Sequence, residues 1–287
     1  MRAYLITGAN KGIGRATVQA ILGHADDTFV WLGARHRGRG DAARAQLVAA
    51  QPGWADRVRV LSIDVGDDDS VRAAAAEVEA LDGFVNNAGI GLGDGALGTV
   101  LNVNTWGPKR VCDHFLPKLR DPGGRIVNVS SASGPNFVAR CSAERQVQLT
   151  HAGVTWADVE GVMREALGIE SEGGDFGAAG LGDGGAYGLS KACLNAYTID
   201  LARTHPSLVI NACTPGFIET DLTRPFAVAR GVSPEAMGMK SPAAGTRSIL
   251  HLLLGDVGAS GWYFGSDAER SPLDRYRSPG DPPYQGD

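Results

Sequence analysis

Near its start the chain runs through a short apolar stretch, 3–6, into Thr7-Gly8-Ala9-Asn10-Lys11-Gly12-Ile13-Gly14, and a helical pattern over 13–22 follows at once. A strand that feeds a glycine turn and then a helix is the opening unit of a parallel sheet, because the helix carries the chain across to the next strand. The alternation continues with apolar, β-rich runs at 28–33, 58–63 and 83–85, separated by helical windows at 41–49 and 70–81. In the latter window Val71, Ala74, Ala75, Val78 and Leu81 share one face, whereas the strand runs are too short to be buried helices. Further strands are expected at 125–129, 208–213 and 262–264. Helices are expected at 188–203 and at 241–254, the latter opened by Ser241 as N-cap with Pro242 in the first turn. The expected fold is α/β: a single doubly wound Rossmann-type parallel sheet of about seven strands with helices on both faces.

The sequence of 287 residues, 43% hydrophobic and 21% charged, has enough apolar material for one large core and too little charge for a disordered chain. We expect a catalytic Rossmann domain over 1–270 and a tail over 271–287. Two stretches interrupt the rhythm. Residues 135–186 form an insertion, with a helix expected at 155–167 and a glycine-rich segment over 168–185 that is either flexible or tightly turning. Residues 217–240 are irregular and follow a strand end, where open α/β folds bind ligands, so they are expected to form a substrate loop. The tail is rich in Pro, Gly, Arg and Asp and reads as extended, either wrapped on the body or disordered.

A net charge of −5 without a long basic run argues against nucleic acid as a partner. No apolar run of membrane-spanning length occurs, and the chain enters its first strand without a leader pattern, so a cytoplasmic protein is expected. Cys112, Cys141, Cys193 and Cys213 lie far apart with no paired or metal-finger spacing, which fits a reducing compartment without disulfides. No metal is expected: Asp64, Asp67, Asp68 and Asp69 lie between a strand and a helix, where acids cap the helix dipole, and the histidines show no ligand spacing.

The glycine turn suits a pyrophosphate, because glycines let the backbone come close and the helix N-terminus presents unpaired N–H groups to the negative charge. It lacks the Gly-Lys-Ser/Thr ending of the triphosphatase loop. A fold binding NAD would place an acid at the end of the second strand for the ribose 2′-hydroxyl; here that place holds Ala34 and Arg35, and no carboxylate appears before Asp41. Arg35 and Lys11 instead suit a 2′-phosphate, which favours NADP(H).

Tyr187 and Lys191 lie four residues apart at the start of a helical pattern and so share a face. An ammonium near a phenol favours the phenolate and brings proton transfer within reach at neutral pH. The strand at 125–129 ends in Ser130-Ser131, where a hydroxyl can bond a carbonyl oxygen; the fourth strand ends in Asn86-Asn87-Ala88-Gly89, and Asn104 opens a later helix. Trp156 and Phe176 of the insertion either touch substrate or anchor the loop.

Taken in order, Thr7 to Gly14, Asp64-Val65, Asn86 to Gly89, Asn104, Ser131, Tyr187 with Lys191, and Pro215-Gly216 leading to Thr220, the chain resembles the short-chain dehydrogenase/reductase family. The wide gap between Ser131 and Tyr187 is similar to that of the carbonyl reductase and plant salutaridine/menthone reductase branch. The resemblance implies NADPH-dependent reduction of a ketone, aldehyde or quinone, reversible as alcohol oxidation. Tyr187 would be general acid/base, Ser131 would polarise the carbonyl, Lys191 would lower the tyrosine pKa and hold the nicotinamide ribose, and Asn104 would organise a proton-relay water. For the cofactor it implies contacts from Gly8, Asn10, Lys11, Gly12, Ile13 and Gly14 in the turn, with Arg35 beside it. Asp64 and Val65 would flank the adenine. Asn87, Ala88 and Gly89 would line the cofactor, and Pro215, Gly216, Ile218 and Thr220 would stand at its nicotinamide end. It also implies a monomer, with the insertion covering a surface that otherwise makes oligomer contacts and covering the substrate pocket. Gly89 to Asn104 departs from the family pattern in being short. Two other readings of the same residues are a catalytically silent NADP(H)-sensing regulator and a redox-neutral dehydratase or epimerase.

Overall fold

The protein is described here from a computed structural model, in which residues 1–91 and 95–286 are defined. Residues 92–94, inside the short segment before Asn104, lie outside the described residues. The first half alternates as expected: β1 (Arg2–Ile6), α1 (Gly12–His24), β2 (Thr28–Ala34), α2 (Arg37–Ala50), β3 (Val58–Ser62), α3 (Asp68–Glu77) and β4 (Gly83–Asn86). There follow α4 (Leu97–Leu101), α5 (Gly107–Phe115), β5 (Arg125–Val129), α6 (Ser133–Val138), α7 (Ala143–Thr150), α8 (Trp156–Glu172) and α9 (Ala186–Thr204). The chain closes with β6 (Val209–Cys213), α10 (Arg224–Ala229), α11 (Arg247–Leu254), β7 (Tyr263–Phe264) and β8 (Arg270–Ser271).

The sheet order is β3-β2-β1-β4-β5-β6-β7-β8, parallel up to β7, with β8 antiparallel at the edge. β1 has β2 on one side and β4 on the other, so the chain reverses direction of winding there and leaves a crevice at the strands' carboxyl ends. Period-two alternation along each strand divides the core between the two faces. Leu5, Trp31, Leu61, Phe84 and Ile126 pack on one face with side chains of α3, α5 and α9. Tyr4, Ile6, Val30, Leu32 and Val127 pack on the other with α1 and α11. Strands covered on both sides need near-continuous apolar runs, as in Thr28–Ala34, where only Phe29 is not fully buried. Asp67 caps α3 by accepting from the N–H groups of Asp69 and Ser70, as the acidic cluster predicts.

The insertion differs from its expectation in extent. Its helix runs over Trp156–Glu172, with a capping box between Thr155 and Asp158, and α7 precedes it, opened by the Ser142 side chain accepting from Arg145 N. The apolar signal of α7 is weak because only Leu149 among its residues is buried. Of the two alternatives for the glycine-rich segment, the structure has tight turns: Gly173, Gly180, Gly182 and Gly184 sit at positive φ, and Leu181 between them is fully buried. These parts form a third core with α4, α6 and α9, in which Leu97, Leu101, Phe137, Val162, Met163 and Leu189 meet.

The tail wraps the body. β8 extends the sheet to eight strands by pairing Tyr263 with Ser271 and Phe264 with Arg270. Arg277 then turns inward to Asp267 and donates to Ser271 Oγ at 2.9 Å. Arg270 stacks between Trp262, 3.9 Å from the ring centroid, and Tyr284 at 5.2 Å. β7 falls within the expected strand at 262–264, whereas Arg270-Ser271 of β8 carries no apolar run and is not legible in the sequence.

Candidate active site

The glycine turn is built against the end of β4. Thr7 Oγ1 accepts from the N–H groups of Asn87 and Ala88 at 3.0 Å each, and Asn87 Nδ2 donates to Thr7 O at 2.8 Å. Ala9 N donates to Gly33 O at 2.8 Å, which sets the turn beside the end of β2 and hence near Arg35. Gly8 and Gly12 adopt φ of +64° and +56°, and a Cβ on Gly14 would lie 2.5 Å from Asn87 Nδ2 and 2.6 Å from Gly8 O. Only glycine fits at these places. No side chain caps α1, and its first turn holds no acid. Its leading N–H groups, which have no intrahelical acceptor, are therefore available to an anion that the close-packed backbone can approach. The site passes the chemical test for a dinucleotide's phosphates.

Past the carboxyl ends of β4, β5 and β6 lies a cavity of about 230 Å³. Ile13, Asn87 and Gly89 line its cofactor side, and Ser131, Tyr187 and Lys191 line its inner wall. Pro215, Gly216, Ile218 and Thr220 form the opposite wall. The expected trio thus meets at one place. Lys191, on α9, is buried and donates from Nζ to Val129 O at 2.9 Å, with Nζ 5.6 Å from the centre of the Tyr187 ring. Burial depresses the lysine to about 8. Burial pushes the Tyr187 phenol above its ordinary value, and the nearby Ser131 hydroxyl pulls the other way. The net direction is opposite to the expectation of an ammonium-favoured phenolate. The reason is desolvation: the ammonium faces a main-chain carbonyl and the ring, while the phenol stands in a cavity walled by protein.

Asn104 does not line the cavity. It is fully buried in a single π-helical turn, Asn102–Trp106, between α4 and α5, a local widening common at functional sites. Its side chain accepts from Ile90 N at 2.9 Å and donates to Ile90 O at 2.9 Å and Ser190 Oγ at 3.1 Å. A Cβ on Gly89 would lie 3.3 Å from Asn104 Oδ1 and 3.8 Å from Lys191 Nζ, so the asparagine and the lysine both flank Gly89. Asp64 accepts from Gly66 N at 3.0 Å, and Val65 is buried against Gly107, which fixes the turn after β3. Asn10 is half-buried in the glycine turn. Arg35 is exposed and makes no ion pair among the described residues. Lys11, expected beside it, instead reaches Asp221 Oδ2 at 2.5 Å.

Several cavity residues escape motif reading: Ser133, Phe217, Leu222, Thr223 and Phe226. Their only signal is position, after a serine pair and after a Pro-Gly turn. No residue of 135–186 lines the cavity, which corrects the expectation that the insertion covers the substrate pocket. Trp156 packs edge-on to Tyr197 with ring centres 5.2 Å apart, and Phe176 closes on Gly184. Both anchor the insertion, because its apolar residues are drawn to α4 and α9 instead of the cavity mouth.

Comparison with known proteins gives a match to the short chain dehydrogenase family over residues 2–143. Carbonyl reductase [NADPH] 1 of Bos taurus is 32% identical over 267 residues, covering 87% of this chain and 90% of the bovine protein. Among solved structures, menthone neomenthol reductase from Mentha piperita is similar with a TM-score of 0.75 and 26% identity, covering 92% of this chain and 98% of that one. Salutaridine reductase from Papaver somniferum shares the fold, with a TM-score of 0.77 and 24% identity over 92% of this chain and 99% of that one.

Proposed function

The chain belongs to the short-chain dehydrogenase/reductase family, on its carbonyl reductase-like branch, and from that premise we propose that it reduces a ketone, aldehyde or quinone with Tyr187 as the proton donor. It is an NADP(H)-dependent oxidoreductase acting on C=O and CH–OH groups. The observation that carries the residue assignment is the convergence of Ser131, Tyr187 and Lys191 on one cavity beside the glycine turn.

The bound cofactor supplies the hydride. Ser131 Oγ donates to the substrate carbonyl oxygen and fixes its distance from Tyr187. The phenol, held protonated by burial, is the acid that the reductive direction requires, and it releases its proton to the same oxygen as negative charge develops there. Lys191 supplies positive charge beside the nascent phenolate and holds the nicotinamide ribose. Asn104, braced by Ile90 and Ser190, would organise a relay water through which the tyrosine is reprotonated. The turn from Gly8 to Gly14 cradles the pyrophosphate. Arg35 and Lys11 would hold the 2′-phosphate, Asp64 and Val65 would flank the adenine, and Asn87 to Gly89 would line the cofactor.

The insertion supports a monomer, since it packs on the π-helical turn and α9: Trp106 Nε1 donates to Glu160 at 3.3 Å, and Trp156 N donates to Asp200 at 3.1 Å. Four unpaired, buried cysteines support a reducing, cytoplasmic setting. No helix among the described residues is long and apolar enough to cross a membrane. The test is NADPH consumption with a panel of ketones, aldehydes and quinones, with the product identified. Stoichiometric alcohol or hydroquinone is expected, and product formed without cofactor oxidation would contradict the assignment.

A further inference from the structure

Lys11, in the glycine turn, reaches out of it to another element. Its Nζ lies 2.5 Å from Asp221 Oδ2, across a separation of 210 residues, so the turn is joined to the loop that walls the cavity. Asp221 also accepts from Arg224 Nη1 at 2.9 Å, and Arg224 Nε donates to Glu219 at 3.0 Å. Thr220, next in the chain, packs its methyl 3.5 Å from where a Gly12 Cβ would lie. The lysine and the aspartate are each more than half exposed, so the pair is open to exchange of partners.

We propose that Asp221 determines cofactor specificity by competing with the 2′-phosphate of NADP(H) for Lys11. The proposal rests on the NADP(H) reading of the site given above. A lysine has one positive charge, and a dianionic phosphate and a carboxylate draw on the same ammonium. When the lysine turns to the phosphate, Asp221 is not left alone, because Arg224 stays with it. The exchange therefore strands no carboxylate, and its cost is the Lys11–Asp221 attraction alone. That cost falls on a cofactor carrying the 2′-phosphate and spares one that lacks it. Asp221 thus lowers affinity for NADPH relative to the value the turn would otherwise reach, and narrows its preference over NADH.

The test measures dissociation constants of NADPH and NADH by fluorescence titration or calorimetry at low and high salt, with wild-type protein, Asp221→Asn, Lys11→Gln and the double variant. Asp221→Asn should bind NADPH about two- to fivefold more tightly at low salt, the size expected of an exposed ion pair, with NADH unchanged. The gain should shrink at high salt and disappear on the Lys11→Gln background. Unchanged or weaker NADPH binding in Asp221→Asn would overturn the proposal, as would an equal gain for NADH or a gain that survives loss of Lys11. Wild-type protein that fails to bind NADPH would overturn the cofactor reading itself, an outcome visible without any variant.

Discussion

The two stretches that interrupt the strand–helix alternation are similar in sequence and opposite in structure. Both follow a strand end, and both carry glycine and proline. Yet 135–186 builds a core of its own with α4, α6 and α9, whereas 217–240 holds one short helix in which only Ala227 is buried. The loop leaves large apolar side chains in the open, Phe217 at 40%, Phe226 at 37%, Val228 at 78% and Val232 at 44% exposure. The insertion exposes one comparable side chain, Val147. Apolar residues that find a partner surface become scaffold; of those that find none, Phe217 and Phe226 line the cavity, and exposed loops are where function and motion concentrate.

That contrast is open to direct attack. The largest effect is expected from Leu181→Asp, which places a charge in the insertion's core and should lower the unfolding free energy by about 3–5 kcal/mol, seen as a reduced denaturation midpoint. If the midpoint holds, the insertion is not part of the core. Next, Phe226→Ala should leave stability within about 0.5 kcal/mol while raising KM for bulky apolar carbonyl compounds by about five- to tenfold. Trp156→Phe should leave both kinetic constants in place. A KM change in the tryptophan variant would return the insertion to the pocket wall. Smaller still is a difference in opening: limited proteolysis should cut first within 217–240 and spare 135–186 until global unfolding.

One pH effect follows from Lys191 at about 8. The charged form exists below that value and is lost above it, so the rate of reduction should fall as pH rises through about 8, while the phenol, pushed upward by burial, stays protonated across the same range. A profile in which reduction rises through that window would place the titrating group elsewhere.

How much of this was legible depended on the reach of each contact. The glycine turn was readable because Gly8, Gly12 and Gly14 are demanded by backbone geometry local to the turn. Tyr187 and Lys191 were readable because helical spacing places them on one face, and Ser131 because a strand end fixes it. The direction of the Tyr187 shift was not readable, since it comes from the bulk of protein around the phenol and not from its helix neighbour. Nor was the partner of Lys11, which lies 210 residues on. Nor does the sequence decide between substrate and anchor for Trp156 and Phe176, because the contacts that settle it, Trp156 on Tyr197 of α9 and Phe176 on Gly184, are tertiary. The two-residue β8 and the inward turn of Arg277 rest on tertiary contacts alone.

The most direct measurement is NADPH titration and ketone reduction side by side in Tyr187→Phe. Loss of one hydroxyl should leave the dissociation constant of NADPH nearly unchanged and lower the rate of carbonyl reduction by about 10²- to 10⁴-fold, the share a positioned general acid contributes. Retention of the wild-type rate, with the variant folded and NADPH bound, would show that the proton comes from another group.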